Sequence, residues 1–438
     1  MRIGIYLGRH HAGGGGMGVY ARSLVRNLVC LLERADLREM EVVFYGDSAI
    51  LTPELLDEIE LAPVLSSVAR PSVPLFASSY FRPLPNGARV RILVRLLGER
   101  FGRKLQATLD QAVVPILIRL DRIDVLHSLA NCGFFFGGVP QLITVHDVFQ
   151  AWPDYTSEPG RRSWGLSAQH YYRLLFRRQF STAAHIITDT KGVADEVVRR
   201  YRFDAGRISV IPLGLDEVFL DAFNDLRRSA VSRQQHEAPA VGRPPGYALV
   251  FASPDPRKNF ERTWQAWLAL PDAERKRGAV IVCADSSLRR RIQKRIVRDG
   301  LESYVTVLDW VDRSRLPALY RDAGASVLPT LAEGFGFPAV ESLALGTPVV
   351  SAPLEILRRG NDFLPLVYPC DPLDPASITR AIGDALYAKG GLAMSAQPKM
   401  SVTPASNGAP RPRAMRDAIE ETVAVYKQVV MRYAVRKR

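Results

Sequence analysis

The stretch Thr330-Leu331-Ala332-Glu333-Gly334-Phe335-Gly336-Phe337-Pro338-Ala339-Val340-Glu341 leaves few folds open to this chain. Before it, Ala325-Ser326-Val327-Leu328-Pro329 is a short apolar run of buried-strand type. Pro338 stands where a first helical residue tolerates proline, because its missing N–H has no partner there anyway. The helix then reads Ala339 to Leu345, stops at Gly346, and Thr347-Pro348 leads into Val349-Val350-Ser351. Strand, glycine loop, short helix and strand make one α/β unit of the kind found in parallel sheets. Such sheets bind ligands at their carboxyl edge, where this loop delivers Glu333. Glu341 falls in the first turn of the helix. Gly334 and Gly336 let backbone amides approach a ligand, and a helix start offers unpaired N–H groups to an anion. Two carboxylates for hydroxyls beside amide donors for phosphate suit a nucleotide-sugar. On spacing alone, a helix-dipole role for Glu341 and a solvated Glu333 fit equally well.

A chain of 438 residues suits two domains of ordinary size. Apolar content of 47% and charged content of 24% are those of a soluble globular protein. No uninterrupted apolar run approaches the roughly 18 residues of a membrane span. The first residues, Met1-Arg2-Ile3-Gly4-Ile5-Tyr6, start directly as a strand and lack the apolar stretch of a signal peptide. Cys30, Cys132, Cys283 and Cys370 show no paired spacing and read as reduced thiols of a cytosolic protein. The histidines show no metal-ligand spacing, so no metal is expected. A net charge of +13 suits a phosphorylated substrate or an anionic membrane face. It would also suit nucleic acid, but no nucleic-acid module signature is present, so none is expected.

Along the chain, a first strand opens into the glycine-rich turn Gly13-Gly14-Gly15-Gly16-Met17-Gly18 and a helix from about Val19 to Glu33. That turn is a phosphate-approach device but lacks the G-x-G-x-x-G spacing of dinucleotide enzymes. Phe81 to Lys104 carries Arg82, Arg89, Arg91, Arg95, Arg100, Arg103 and Lys104 against one acid, with apolar residues at near-helical spacing. A basic amphipathic helix of this kind can lie on an anionic membrane, or equally pack as a solvated helix face. Strands ending at His127 and at His146-Asp147 follow; a lone histidine is more often structural, and His127 reads so. The aromatic and basic region Gln150 to Ser181 shapes an acceptor cleft or forms a core helix. Residues from about Leu226 to Gly246 are polar and proline-rich, as in an exposed linker. A second series of strands and helices starts at Tyr247, with Arg257-Lys258 set just ahead of a helix start near Phe260. A basic pair there adds charge to an amide-rich anion site. Lys389 to Arg413 reads as a flexible loop and Ala414 to Tyr433 as a last helix.

The stretch from Glu333 resembles the signature of retaining glycosyltransferase family 4. That signature is a strand leading into Glu-Gly-Phe-Gly-x-Pro, with a second Glu eight positions after the first; the match continues through Gly346-Thr347-Pro348-Val349-Val350. Other family landmarks recur in order: Gly15-Gly16-Met17-Gly18-Val19-Tyr20, Thr144-Val145-His146-Asp147, Thr190 where serine is usual, and Pro256-Arg257-Lys258-Asn259. The resemblance runs from the glycine turn to about Val350 with a gap at 50–120, and loosens beyond Ala352. It implies an α/β GT-B fold, two doubly wound Rossmann-like parallel-sheet domains facing a cleft. Residues 1–225 would be the acceptor-side domain, 226–246 a linker, 247–413 the nucleotide-sugar-binding domain, and 414–438 a helix packing back on the first domain.

The resemblance also implies roles. Gly15 and Gly16 face the donor diphosphate, and His146 approaches the donor sugar with Asp147 as orienting partner or acceptor-side residue. Lys258, with Arg257, holds the donor phosphates; the family often has an arginine where Ser253 stands, which leaves Lys258 the larger share. Glu333 receives the sugar hydroxyls or acts as a nucleophile, Gly334, Phe335, Gly336 and Phe337 line the donor with their backbone, and Glu341 holds the ribose. The expected catalytic set is His146, Lys258 and Glu333. The implied function is retaining transfer of a hexose, mannose from GDP-mannose first, to a growing glycan or lipid-linked acceptor in bacterial surface polysaccharide synthesis. The likeness is to bacterial polysaccharide mannosyltransferases. The nucleotide diphosphate sugar is a co-substrate and no cofactor is expected. The chain would be cytoplasmic, peripheral at the inner membrane face through residues 81–104. A GT-B subunit that binds nucleotide-sugar or lipid without transferring is the alternative. A dinucleotide oxidoreductase is disfavoured by the missing fingerprint.

Overall fold

Tyr247-Ala248-Leu249-Val250-Phe251-Ala252 is apolar at every position because its strand is covered on both faces. Tyr247 and Leu249 point into one cluster with Val280, Tyr320 and Phe219. Ala248 and Val250 point into another with Trp264, Trp267, Ile281 and Ile378. The two-residue alternation of a strand thus divides one run between two cores. In the computed structural model the described residues are 1–8, 15–37, 39–46, 73–74, 79–83, 99–129, 131, 133–135, 138–149, 151, 166–232, 241–354, 357, 366–391 and 412–436.

The chain divides into two units, Met1–Trp152 with Gly165–Leu213 and Met415–Arg438, and a second built on Gly214–Ala414. The first unit carries strands β1 (Arg2–Gly8), β2 (Glu41–Gly46), β3 (Val73–Pro74), β4 (Ser79–Pro83), β5 (Val125–Ser128), β6 (Gln141–Val145), β7 (His185–Thr188) and β8 (Ile208–Val210). Their order is β3-β4-β2-β1-β5-β6-β7-β8, parallel throughout except for the β3–β4 pair. The second unit carries β9 (Tyr247–Ala252), β10 (Ala279–Cys283), β11 (Val305–Leu308), β12 (Ala323–Leu328), β13 (Val349–Ser351) and β14 (Val367–Pro369). Its order, β11-β10-β9-β12-β13-β14, is wholly parallel. In each sheet the first strand lies mid-sheet and the winding reverses beside it, between β1 and β5 and between β9 and β12. Those reversal points are where doubly wound sheets open a crevice outside the carboxyl ends of their strands.

The last helix, Met415–Arg436, belongs to the first unit and packs against the helix Gly16–Leu31. Its Tyr426 hydroxyl meets His127 Nδ1 at 2.7 Å, while His127 Nε2 meets Thr144 Oγ1 at 2.7 Å. With both nitrogens engaged and no exposure, His127 is structural; burial pushes its imidazole down to about 3, so it stays neutral.

Three expectations need correction. The domain boundary lies before Gly214, not at 225, because Leu215 and Phe219 are core residues of the second unit. Gly214 passes so close to the backbone of Ala414 that a Cβ would sit 2.3 Å from it, and Leu215 N–H donates to Arg413 O at 2.8 Å. The supposed linker begins as helix, since Glu217–Ser232 continues through its first residues; 233–240 lie outside the described residues. Of the basic stretch 81–104, the start belongs to strand β4, the end to the helix Glu99–Leu120, and 84–98 lie outside the described residues. So do residues 9–14 of the glycine-rich turn region, residues 152–165 of the aromatic and basic region, and residues 392–411.

Candidate functional site

The carboxyl ends of β9 and β12 flank the reversal point of the second sheet, and the loop after each supplies one charged side chain. The β9 loop turns through a short 3₁₀ segment, Pro256–Lys258, braced by Asp255, which accepts from Arg257 N–H at 3.0 Å. Asn259 follows in the left-handed region (φ 54°), which asparagine tolerates better than most residues. Its amide does not cap the helix Phe260–Leu268 but donates to Pro329 O at 2.9 Å and Pro372 O at 2.6 Å. Leu331 N–H returns a bond to Arg257 O at 2.8 Å. These bonds clasp the two loops together and bring Lys258 Nζ to Glu333 Oε1 at 2.6 Å.

The pair borders a partly open pocket lined also by Phe251, Leu328, Thr330 and Gly336. Lys258 is 30% and Glu333 15% exposed. One ammonium hydrogen is used on Glu333, leaving two donors for a ligand. The Thr330 hydroxyl is buried without a hydrogen-bond partner, a polar group left for an occupant. Gly336 sits at φ 87°, a conformation open to glycine, and its carbonyl accepts from Ala339 N–H at 3.0 Å as the helix Phe337–Ala344 begins.

Arg257 does not line this pocket: its Nε donates to Asp255 Oδ2 at 2.8 Å. Burial would raise Asp255, but the Arg257 guanidinium outweighs it and holds the carboxyl below its ordinary value. Glu341 does not line it either. The helix starts at Phe337, so Glu341 is in the second turn, not the first. It is 1% exposed. Its Oε1 accepts from Arg313 Nη2 at 2.6 Å and its Oε2 from the Tyr320 hydroxyl at 3.0 Å. Sequence reasoning missed Arg313, Tyr320 and Asp216, which are distant in the chain and carry no local motif.

In the first unit, Gly15 and Gly16 lie exposed at the start of the helix Gly16–Leu31. His146 follows β6 and is buried. Its Nδ1 meets Asp189 Oδ2 at 2.6 Å and its Nε2 meets Leu129 O at 3.0 Å. Both partners are acceptors, so both ring nitrogens must carry hydrogen and the ring is an imidazolium. Burial opposes that charge, but Asp189, helped by Asp147 and the Leu129 carbonyl, raises the imidazole above its ordinary value. The orienting partner is therefore Asp189, at the end of the next strand, not Asp147, whose Oδ1 accepts from Phe149 N–H at 3.3 Å. Tyr20 packs edge-on against the ring at 4.9 Å. Among the described residues, no group of three or more His, Cys, Asp or Glu side chains could hold a metal ion.

Two family models match in sequence, Glycosyltransferase Family 4 over residues 60–219 and Glycosyl transferases group 1 over residues 247–387, together more than half the chain. The chain belongs to this glycosyltransferase family. Among curated family members it is 26% identical over 222 residues to the O-antigen chain mannosyltransferase RfbU of Salmonella typhimurium, covering 50% of this chain and 54% of that protein. The chain thus spans about half the length of the curated relatives it matches. In fold it is similar to a sucrose-phosphate synthase from Thermosynechococcus elongatus, with a TM-score of 0.59, 16% identity and 100% of each chain covered. It is likewise similar to Anabaena Alr3699/HepE in complex with UDP and glucose, with a TM-score of 0.57, 15% identity, and 98% and 99% covered. The fold is GT-B.

Proposed function

We propose that this chain transfers a hexose, with retention, from a nucleotide diphosphate sugar to a glycan or lipid-linked acceptor of a bacterial surface polysaccharide. GDP-mannose is the preferred donor, in keeping with the mannosyltransferase relatives. The observation that carries the proposal is the Lys258–Glu333 pair, clasped 2.6 Å apart at the reversal point of a doubly wound sheet and bordering a pocket. Breaking the sugar–phosphate bond leaves charge on a departing diphosphate. The spare donors of Lys258 and the amides around Phe335, Gly336 and Phe337 would meet that charge without a metal. Glu333, already tied to Lys258, orients the sugar hydroxyls, and the leaving phosphate takes the acceptor proton. His146 contributes fixed positive charge in the first unit.

Thermal unfolding against GDP, UDP and dTDP tests the donor site. A ligand at a hundred times its Kd adds about 2.7 kcal/mol, which for units of this size raises the Tm by roughly 5–10 °C. GDP should give the largest shift. No shift with any of the three at millimolar concentration removes the proposal. Radiolabelled nucleotide-sugar with a membrane lipid extract then separates a transferase from a subunit that only binds.

The acceptor side is proposed to rest on an anionic membrane. No described helix is long and apolar enough to cross one. Yet Glu99–Leu120 exposes Leu109 (38%), Ile116 (56%) and Leu120 (68%), and its sequence begins with the basic residues Arg100, Arg103 and Lys104. A helix whose sequence supplies basic residues and which exposes apolar side chains has what an interfacial contact needs. Vesicles containing phosphatidylglycerol should sediment the protein, and phosphatidylcholine vesicles should not. Sedimentation that Ile116→Ser with Leu120→Ser leaves unchanged would exclude this helix as the contact.

A further inference from the structure

Among the described residues, Arg313 is the one cation hydrogen-bonded to Glu341, and it is more exposed than Tyr320, the other partner of that carboxylate. Its Nε donates to Asp216 Oδ2 at 2.6 Å and its Nη2 to Glu341 Oε1 at 2.6 Å. The guanidinium also lies over the Phe219 ring, 4.6 Å from its centroid. Asp216 is held in turn, its Oδ1 accepting from Phe219 N–H at 3.3 Å. Exposure grades across the group, with side chains of Arg313 at 21%, Asp216 at 10% and Glu341 at 2%. Tyr320 closes the far side of the carboxylate at 3.0 Å and is itself fully buried. Burial pulls the Arg313 guanidinium down, but the Glu341 and Asp216 carboxylates outweigh it and hold it above its ordinary value, so the residue stays a cation.

A carboxylate has four lone-pair sites, and the described residues use only two on Glu341. What keeps ligand hydroxyls from the others is access. We infer that Arg313 is a positioning residue that keeps Glu341 closed, so that a nucleotide reaches this carboxylate only by drawing the guanidinium aside. The inference rests on the proposed nucleotide-sugar binding and on the sequence expectation that Glu341 holds the ribose. It deepens that proposal by making ribose recognition a contest between a charged donor already in place and two neutral hydroxyls. Discrimination between ribose and deoxyribose is then weak in the resting protein and latent in Glu341.

The test is the ratio of Kd for 2′-deoxy-GDP to Kd for GDP, measured by calorimetry on the full chain. The wild type should give a ratio within about threefold of one, because much of the ribose contribution is spent on displacing Arg313. Arg313→Gln opens Glu341 and should raise the ratio about tenfold. Arg313→Lys keeps a charge beside Glu341, and so keeps the fold if the glutamine variant loses it. Lacking the planar, two-pronged guanidinium, it holds the two carboxylates less firmly and should raise the ratio about threefold. Adding Glu341→Gln to either variant should return the ratio to one. A purely structural arginine would change stability and leave the ratio alone. Wild-type ratios in Arg313→Gln and Arg313→Lys, with Glu341→Gln lowering the ratio in the wild type, overturn the latch and leave Glu341 as ribose ligand. Glu341→Gln without effect on the ratio in any background overturns both.

Discussion

Lys258→Met should cut the proposed sugar transfer sharply and leave the fold standing. Turnover should fall by about 10²–10³-fold, the usual cost of losing one donor aimed at developing negative charge. The unfolding free energy in urea should change by less than about 1 kcal/mol, since the Lys258–Glu333 pair is partly exposed at 30% and 15% and such pairs add little. Lysine could act only by steadying Glu333, and the two roles separate on a ligand without a sugar. If Lys258 holds the diphosphate, Lys258→Met weakens GDP binding while Glu333→Gln does not. If it only orients Glu333, both variants and their combination lose the same turnover and bind GDP as the wild type does. A methionine variant that keeps more than a tenth of wild-type transfer removes Lys258 from the reaction.

The sequence showed Lys258 and Glu333 because each follows an apolar strand, and a strand end followed by a glycine or Pro-Arg-Lys turn is a local signal. Why they meet was not local: the Asn259 amide must span to Pro329 O and Pro372 O, contacts separated by 70 and 113 residues. Strand positions were equally legible. Val349–Ser351 was expected with the bounds observed, because strands covered on both faces read as plain apolar runs. Domain edges were harder. The polar composition after Leu226 looked like linker, yet the first turn of the same helix carries Phe219 into the core of the second unit. Glu341 shows the sharpest limit. Its distance from Glu333 marked it as a site residue, but nothing near it in the chain signals Arg313 or Tyr320. Their side chains decide whether the carboxylate is open or closed.

Asp189→Asn should cost about 3–5 kcal/mol of stability, the usual penalty for stripping one member from a buried ion pair. Both members are buried, with side chains 9% and 3% exposed, and the second Asp189 oxygen is buried without a hydrogen-bond partner, so the carboxylate leans on His146. The pH dependence identifies the proton. His146 has a folded-state value above its ordinary 6.5, so its contribution is complete below about pH 6.5 and is lost as pH rises through the folded value. His127, lowered to about 3, and His185, lowered to about 4, act the opposite way. They stay neutral in the fold while the unfolded chain takes up protons, so stability also falls as pH drops below 6.5. Wild-type unfolding free energy should therefore peak near pH 6.5 and decline on the alkaline side by at most about 1.4 kcal/mol per pH unit. In Asp189→Asn the imidazole loses its counter-charge and titrates lower, so the alkaline decline disappears while the acid one remains. Urea unfolding of both proteins from pH 5 to 8.5 reads this directly, and an alkaline slope equal in the two would mean that His146 is not the group being titrated.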